Sequence, residues 1–235
     1  MLISFGDCAV TGNVSAIRNQ LGPNNARTVL ERAYVEGAQV NPGVPKEAGI
    51  VPSLLERVQP VHEAVYVDYY LPGCPPPVNL ILEAVSAVLE GRLPPKGSTL
   101  APERALCDVC DRNRTKPERL AISKIKRIHE IEADPEKCFL AQGVVCSGPA
   151  TRAGCGEACL KINMPCRGCF GPVEGVADMG SKYLSAFASL IDAPSMEQAM
   201  KVVDELDDPT GYFYRFTTAS SLLKKRRETS KKHEV

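Results

Sequence analysis

Ten cysteines in 235 residues, eight of them between positions 107 and 169, constrain this chain more than any other feature of it. The same stretch is rich in glycine and proline. Its path is therefore set by turns and by whatever the thiols hold, not by long helices or strands. Two more cysteines, Cys8 and Cys74, lie upstream, each close to a glycine. An even number of cysteines admits a disulfide framework, but such frameworks belong to oxidising compartments and mostly to shorter chains. Residues 1–6 carry neither the basic start nor the long apolar stretch of an export signal. Metal ligation is the stronger reading.

The spacing sharpens it. Cys107 and Cys110 form a C-x2-C pair, answered after 27 residues by Cys138 and then Cys146, while Cys155, Cys159, Cys166 and Cys169 fall within 15 residues. Eight thiols divide into two sets of four. Four thiolates hold one 4Fe–4S cubane or one tetrahedral zinc. Zinc ribbons usually close with a second C-x2-C, whereas the first set here closes with C-x7-C. The second set is crowded and interrupted by Met164 and Pro165 before Cys166, Arg167, Gly168 and Cys169. That crowding suits a bulky cluster wrapped by loop backbone whose amides bond its sulfides. The spacing also differs from the bacterial ferredoxin run C-x2-C-x2-C-x3-C-P. Clusters are favoured, with zinc and disulfides as the alternatives that spacing leaves open.

The bulk numbers fit a globular chain with an ordinary core, 44% apolar and 24% charged. Lysine plus arginine equals aspartate plus glutamate at 28 each, so no global field attracts nucleic acid or a membrane surface. No apolar run reaches the roughly 18–20 residues that span a bilayer.

Along the chain, residues 2–10 read as a short strand, apolar on both faces as in a covered parallel sheet, ending at a glycine turn beside Cys8. A helix is expected over 26–36, a loop over 37–52, and a second strand within 61–71. Pro72, Gly73, Cys74, Pro75, Pro76 and Pro77 make a rigid turn. A helix follows with Leu80, Ile81, Ala84, Val85, Val88 and Leu89 as its apolar stripe and Gly91 as its cap. Residues 92–106 resemble a linker. The pattern Leu120, Ile122, Ile125, Ile128 predicts a charged helix over 117–132; residues 138–172 read as loops; helices are expected over 178–191 and 194–206. The end of the chain, 221–235, is a basic polar tail. Each upstream cysteine thus sits at a strand's carboxyl end, where open α/β sheets place their ligands.

Gly6-Asp7-Cys8-Ala9-Val10-Thr11-Gly12 and Leu71-Pro72-Gly73-Cys74-Pro75-Pro76 resemble the motifs with which nickel–iron hydrogenase small subunits, and the related cluster subunit of respiratory complex I, hold their proximal cubane. Cys107-x2-Cys110, Cys138, Cys146-Ser147-Gly148-Pro149-Ala150-Thr151 and Pro165-Cys166-Arg167-Gly168-Cys169-Phe170-Gly171-Pro172 resemble the hydrogenase branch, because the complex I subunit lacks this second half. The likeness runs to about residue 220 and is nearest to the methyl-viologen-reducing type that can partner a heterodisulfide reductase.

The resemblance implies a partial flavodoxin-like parallel sheet over 1–95, followed by an irregular loop-and-helix iron–sulfur domain over 96–220. It implies that Cys107, Cys110, Cys138 and Cys146 hold a distal cluster and that Cys155, Cys159, Cys166 and Cys169 hold a medial one. Many relatives have histidine at the position of Cys107 and proline, beside a three-iron cluster, at that of Cys159. Cysteine at both positions implies two complete 4Fe–4S clusters, with added negative charge that favours low potential. The implied function is electron relay between a nickel–iron large subunit and a flavin, nicotinamide or iron–sulfur partner, in the cytoplasm.

The family's proximal site needs a further Cys-x2-Cys from a preceding strand–helix–strand segment, which is not among these 235 residues. Cys8 and Cys74 supply two thiolates only, so a third cluster requires ligands from a missing segment, a separate polypeptide or a partner subunit. The rival functions are a zinc-stabilised interaction module and a complex I-like cluster subunit. Among other polar residues, His62, His129 and His233 show no ligand spacing. Asp7 and Arg18 lie near the first motif, where a structural salt bridge is the favoured role, and Arg167 is placed to reach a cluster sulfide or a partner surface.

Overall fold

The computed structural model describes residues 1–22 and 24–222; all but the first two residues of the basic tail expected over 221–235 lie outside them. The fold is mixed α/β with little regular structure. Strand β1 (Ile3–Phe5) leads through Gly6 into a one-turn helix, α1 (Asp7–Val10), and after a 3-10 segment into α2 (Asn25–Glu31). Strand β2 (Tyr69–Leu71) returns parallel to β1, in the register Ile3 to Tyr69, Ser4 to Tyr70 and Phe5 to Leu71. Parallel strands need a long crossover, and the loops and α2 between the two strands supply it. The proline-rich turn then starts α3 (Val78–Leu89), closed by Gly91 at φ +64°.

Three expectations change here. The first strand is only three residues long, and Leu2 and Phe5 are exposed rather than buried on both faces. The second is confined to residues 69–71. The stretch read as a linker contributes to the sheet, since Tyr70 N donates to Ser98 O at 3.1 Å and Leu100 N to Tyr70 O at 2.7 Å.

The helix predicted over 117–132 does not form. Its amides bond other segments: Ile122 N to Leu190 O at 2.7 Å, Ile125 N to a Glu205 carboxylate oxygen at 2.6 Å, and Lys126 N to Gly143 O at 2.9 Å. Ile122 and Ile125 still bury, as the apolar spacing required. β-Branched isoleucine holds extended backbone at least as readily as helix, so tertiary pairing decides.

Downstream helices match the sequence more closely. They are α4 (Ala158–Lys161), which forms one turn inside the stretch read as loops, α5 (Met179–Ala188), α6 (Met196–Asp204) and α7 (Pro209–Phe213), the first and last not expected. Asp178 caps α5, accepting from Ser181 N at 2.8 Å, a contact worth about 1 kcal/mol. Tyr183, Phe187 and Phe213 pack ring against ring with centroids 5.1–6.1 Å apart.

The larger core gathers Ile122, Phe139, Tyr183 and Phe187 around Cys146 and Cys166; a smaller one joins Leu71, Leu80 and Ala84 to Phe170. Cys155 packs against both. The halves are also tied by Thr11 Oγ1 donating to Phe216 O at 2.7 Å. No helix among the described residues is long and apolar enough to cross a membrane.

Candidate metal centres

All ten cysteines are unpaired thiols in this structure. Gly6, at φ +77°, turns the chain from β1 into α1 and so places Cys8 beside the turn that follows β2. Asn13, buried, donates its amide to Cys8 Sγ at 3.4 Å and to Cys74 Sγ at 3.2 Å. These two thiols form an exposed pair. Asp7, between them and the interior, is 1% exposed. One carboxylate oxygen accepts from Gly73 N at 3.1 Å, and the other has no partner among the described residues. Burial pushes its pKa to about 7, opposed by that single bond. Among the described residues Asp7 therefore makes no salt bridge. Arg18 bonds Asn25 Oδ1 at 2.5 Å and the carbonyl of Leu55, away from the thiols.

The set expected to be distal comes together in loops. Cys107 is pushed up to about 12, first by burial and then by the neighbouring Cys146 and Cys138. Burial likewise raises Cys110, against backbone N–H groups of Arg112 and Asn113 that favour its thiolate, with Cys138 also adjacent. Cys146, pushed to about 11 by burial, receives hydrogen bonds from the backbone of Gly148 and Cys166, the latter at 3.3 Å. Gly148 is the floor of this nest. A Cβ there would stand 3.1 Å from Cys107 Sγ and 3.7 Å from Cys146 Sγ.

The second set is looser. Cys155 and Cys159, the latter exposed on α4, lie close enough for charge to act between them, and both act on Cys169. Burial takes Cys169 to about 12; Asp7 is its strongest charged neighbour, and Cys74 also reaches it. Cys166 is buried between the sets, neighbouring both Cys146 and Cys169, its thiol donating to Thr151 Oγ1 at 3.5 Å. Tyr183 buries its phenol against Cys146, Cys166 and Cys107.

No three of the described His, Cys, Asp or Glu side chains converge on one point. The glycine floor under Cys107 and Cys146 and the backbone amides aimed at Cys146 sulfur suit a thiolate-ligated cluster. His62 packs edge-on against Tyr70, centroids 5.7 Å apart, and Arg167 lies over the Tyr212 ring at 5.7 Å; His233 lies outside the described residues. The spacing pattern does not point to Asn13, Gly148 or Thr151. A glycine two residues after a cysteine is a readable signal; the other two gain their roles only through the fold.

Residues 1–88 match the family model described as NADH ubiquinone oxidoreductase, 20 Kd subunit. The chain is 38% identical over 230 residues to a subunit of the F420-non-reducing hydrogenase of Methanothermobacter thermautotrophicus, an alignment covering 94% of this chain and 70% of that one. The chain belongs to this hydrogenase subunit family. A relative from Archaeoglobus profundus, named as an iron-sulfur subunit of F420-non-reducing hydrogenase, is 35% identical over 239 residues, 96% of this chain and 73% of its own. The NAD-reducing hydrogenase HoxS subunit delta of Cupriavidus necator is 40% identical over 96 residues, 39% of this chain and 44% of that one. The matches to F420-non-reducing hydrogenases extend over nearly the whole chain, downstream cysteines included, which sets aside a complex I-like subunit as the better description.

Proposed function

We propose that this hydrogenase subunit relays electrons between a nickel–iron large subunit and a flavin- or iron–sulfur-containing acceptor in the cytoplasm. The observation that carries the reading is the order of the thiols. Cys74 neighbours Cys169, and Asn13 joins Cys74 to Cys8; Cys169 neighbours Cys155 and Cys159; Cys166 neighbours Cys146, which sits among Cys107, Cys110 and Cys138. One file of thiols thus links the strand-borne pair to the loop-borne sets.

On this reading Cys107, Cys110, Cys138 and Cys146 hold a distal 4Fe–4S cluster and Cys155, Cys159, Cys166 and Cys169 a medial one, with Cys8 and Cys74 contributing to a third. Residues 1–95 form a flavodoxin-like unit and 96–220 the iron–sulfur domain. When bound, the clusters supply one-electron transfer. The chain's residues do the rest. Thiolates fix the clusters in line, backbone amides stabilise thiolate charge, and the aromatic core around Tyr183 and Phe187 keeps water from Cys146 and Cys166.

Anaerobic purification of the complex tests this. Iron and acid-labile sulfide in equal amounts, with broad absorbance at about 400 nm, are expected. Stoichiometric zinc in place of iron would overturn the reading.

A further inference from the structure

Arg112 is 7% exposed. Its Nη1 donates to Asp134 O at 3.1 Å and Lys137 O at 3.2 Å, and its Nη2 to Leu160 O at 3.1 Å and Asn163 Oδ1 at 3.0 Å. The guanidinium stacks over Phe139 at 4.3 Å. Every one of these partners is neutral, and among the described residues no carboxylate pairs with Arg112. Asp134 offers its main-chain carbonyl while its carboxylate turns to Lys137 at 3.4 Å. The other buried arginine, Arg152, reaches Glu174 at 2.7 Å. A buried ion without a counter-charge is expensive; some anion has to account for it.

The surroundings indicate which. Arg112 follows Cys110 by two residues, Lys137 precedes Cys138, and Leu160 follows Cys159. The guanidinium therefore spans the loops that deliver two distal thiols and one medial thiol. Asn163, in left-handed backbone at φ +58°, presents an amide oxygen where aspartate would have neutralised the arginine.

We infer that Arg112 is the fixed counter-charge of the distal cluster, favouring its reduced form. This rests on the distal assignment proposed above. A cubane held by four thiolates gains one negative charge when it takes up an electron, with no proton required, so a buried cation stabilises the reduced form more than the oxidised one. Arg112 thereby works against the lowering of potential that the thiolate of Cys107 brings. It acts through space on the cluster and is a positioning residue, not a catalytic one.

The test is an EPR-monitored redox titration of the assembled complex with dithionite. Arg112→Gln removes the charge. Asn163→Asp cancels it while keeping arginine and its acceptor; it gives up the bond to Ala133 O at 2.8 Å, from which the second carboxylate oxygen has to turn away. Arg112→Lys keeps the charge and loses the fork. In the first two variants the reduced-to-oxidised ratio of the distal cluster at fixed potential should fall about tenfold, equivalent to about 59 mV for one electron. Arg112→Lys should stay near wild type in potential even where its melting temperature drops, an outcome that mere loop-pinning does not produce. Should Arg112→Gln fail to load iron, Asn163→Asp decides alone. An unmoved ratio in loaded Asn163→Asp, or an equal fall in Arg112→Lys, overturns the inference. A wild-type complex without a cubane signal overturns the relay reading itself, and the counter-charge with it.

Discussion

Cys8, on α1, and Cys74, in the turn after β2, stand just past the carboxyl ends of two paired strands, exposed and joined by one amide from Asn13. Cys107, Cys110, Cys138 and Cys146 occupy loops and 3-10 turns, half-buried to buried, with backbone amides and a glycine floor around them. The strand-borne pair is positioned by a framework that would exist without it. The loop-borne set is positioned by its own packing, since Cys146 is itself a core residue. Removing a thiol should accordingly cost far more in the loop-borne set than in the strand-borne pair.

Cys146→Ser should give the largest effect. It removes a thiol proposed above as a distal ligand and leaves a hydroxyl in an apolar site, a change of about 1–3 kcal/mol added to the cluster loss that the proposed ligation implies. Iron content should fall by one cluster, with a clear drop in melting temperature. Cys8→Ser at the exposed pair should leave the iron held by the eight downstream cysteines intact and shift stability by less than about 0.5 kcal/mol. Equal melting temperatures for the two variants would break the comparison.

Gly148→Ala probes the nest without touching a ligand. The new methyl, 3.1 Å from Cys107 Sγ, forces the loop to give, at about 1 kcal/mol or more. Distal loading should fall while the medial signal persists. Gly43→Ala, where an added methyl meets open space, should be silent by both measures.

The contrast also explains what could be read from sequence. Spacing alone suggests the two sets of four cysteines, and the glycine and proline punctuation around Gly6, Gly73 and Gly148 marks where the chain bends near them. The segment 117–132 was illegible because Ile122 and Ile125 satisfy a helical spacing, while their amide partners, Leu190 and Glu205, lie some 70–80 residues away. Arg112 was illegible for the same reason: its four acceptors come from distant segments, and nothing in Asp111, Arg112 and Asn113 marks the middle residue as the buried one. Regular elements announce themselves through local periodicity; sites in loops depend on pairings of distant residues, which one sequence does not display.

Apart from the silent Gly43→Ala, the smallest predicted effect lies in the regular region, which unlike the thiol nest has a carboxylate anchor. Asp68, just before β2, accepts from Leu2 N at 2.8 Å and pairs with Lys96 at 2.7 Å. The hydrogen bond from Lys96, then that from Leu2, hold its carboxyl below the usual range. A depressed folded-state pKa means that the unfolded chain binds more protons in acid. The stabilisation is fully present above the ordinary aspartate value of about 3.9 and is lost as pH falls through the lower folded-state value. In Lys96→Met the larger cause of the depression is gone. The gap in melting temperature between wild type and Lys96→Met should therefore be constant near neutrality and close on acidification below about pH 4. Because cluster loss in acid affects both proteins alike, the gap isolates the strand anchor. A gap that widens in acid would show that Lys96 acts on something other than Asp68.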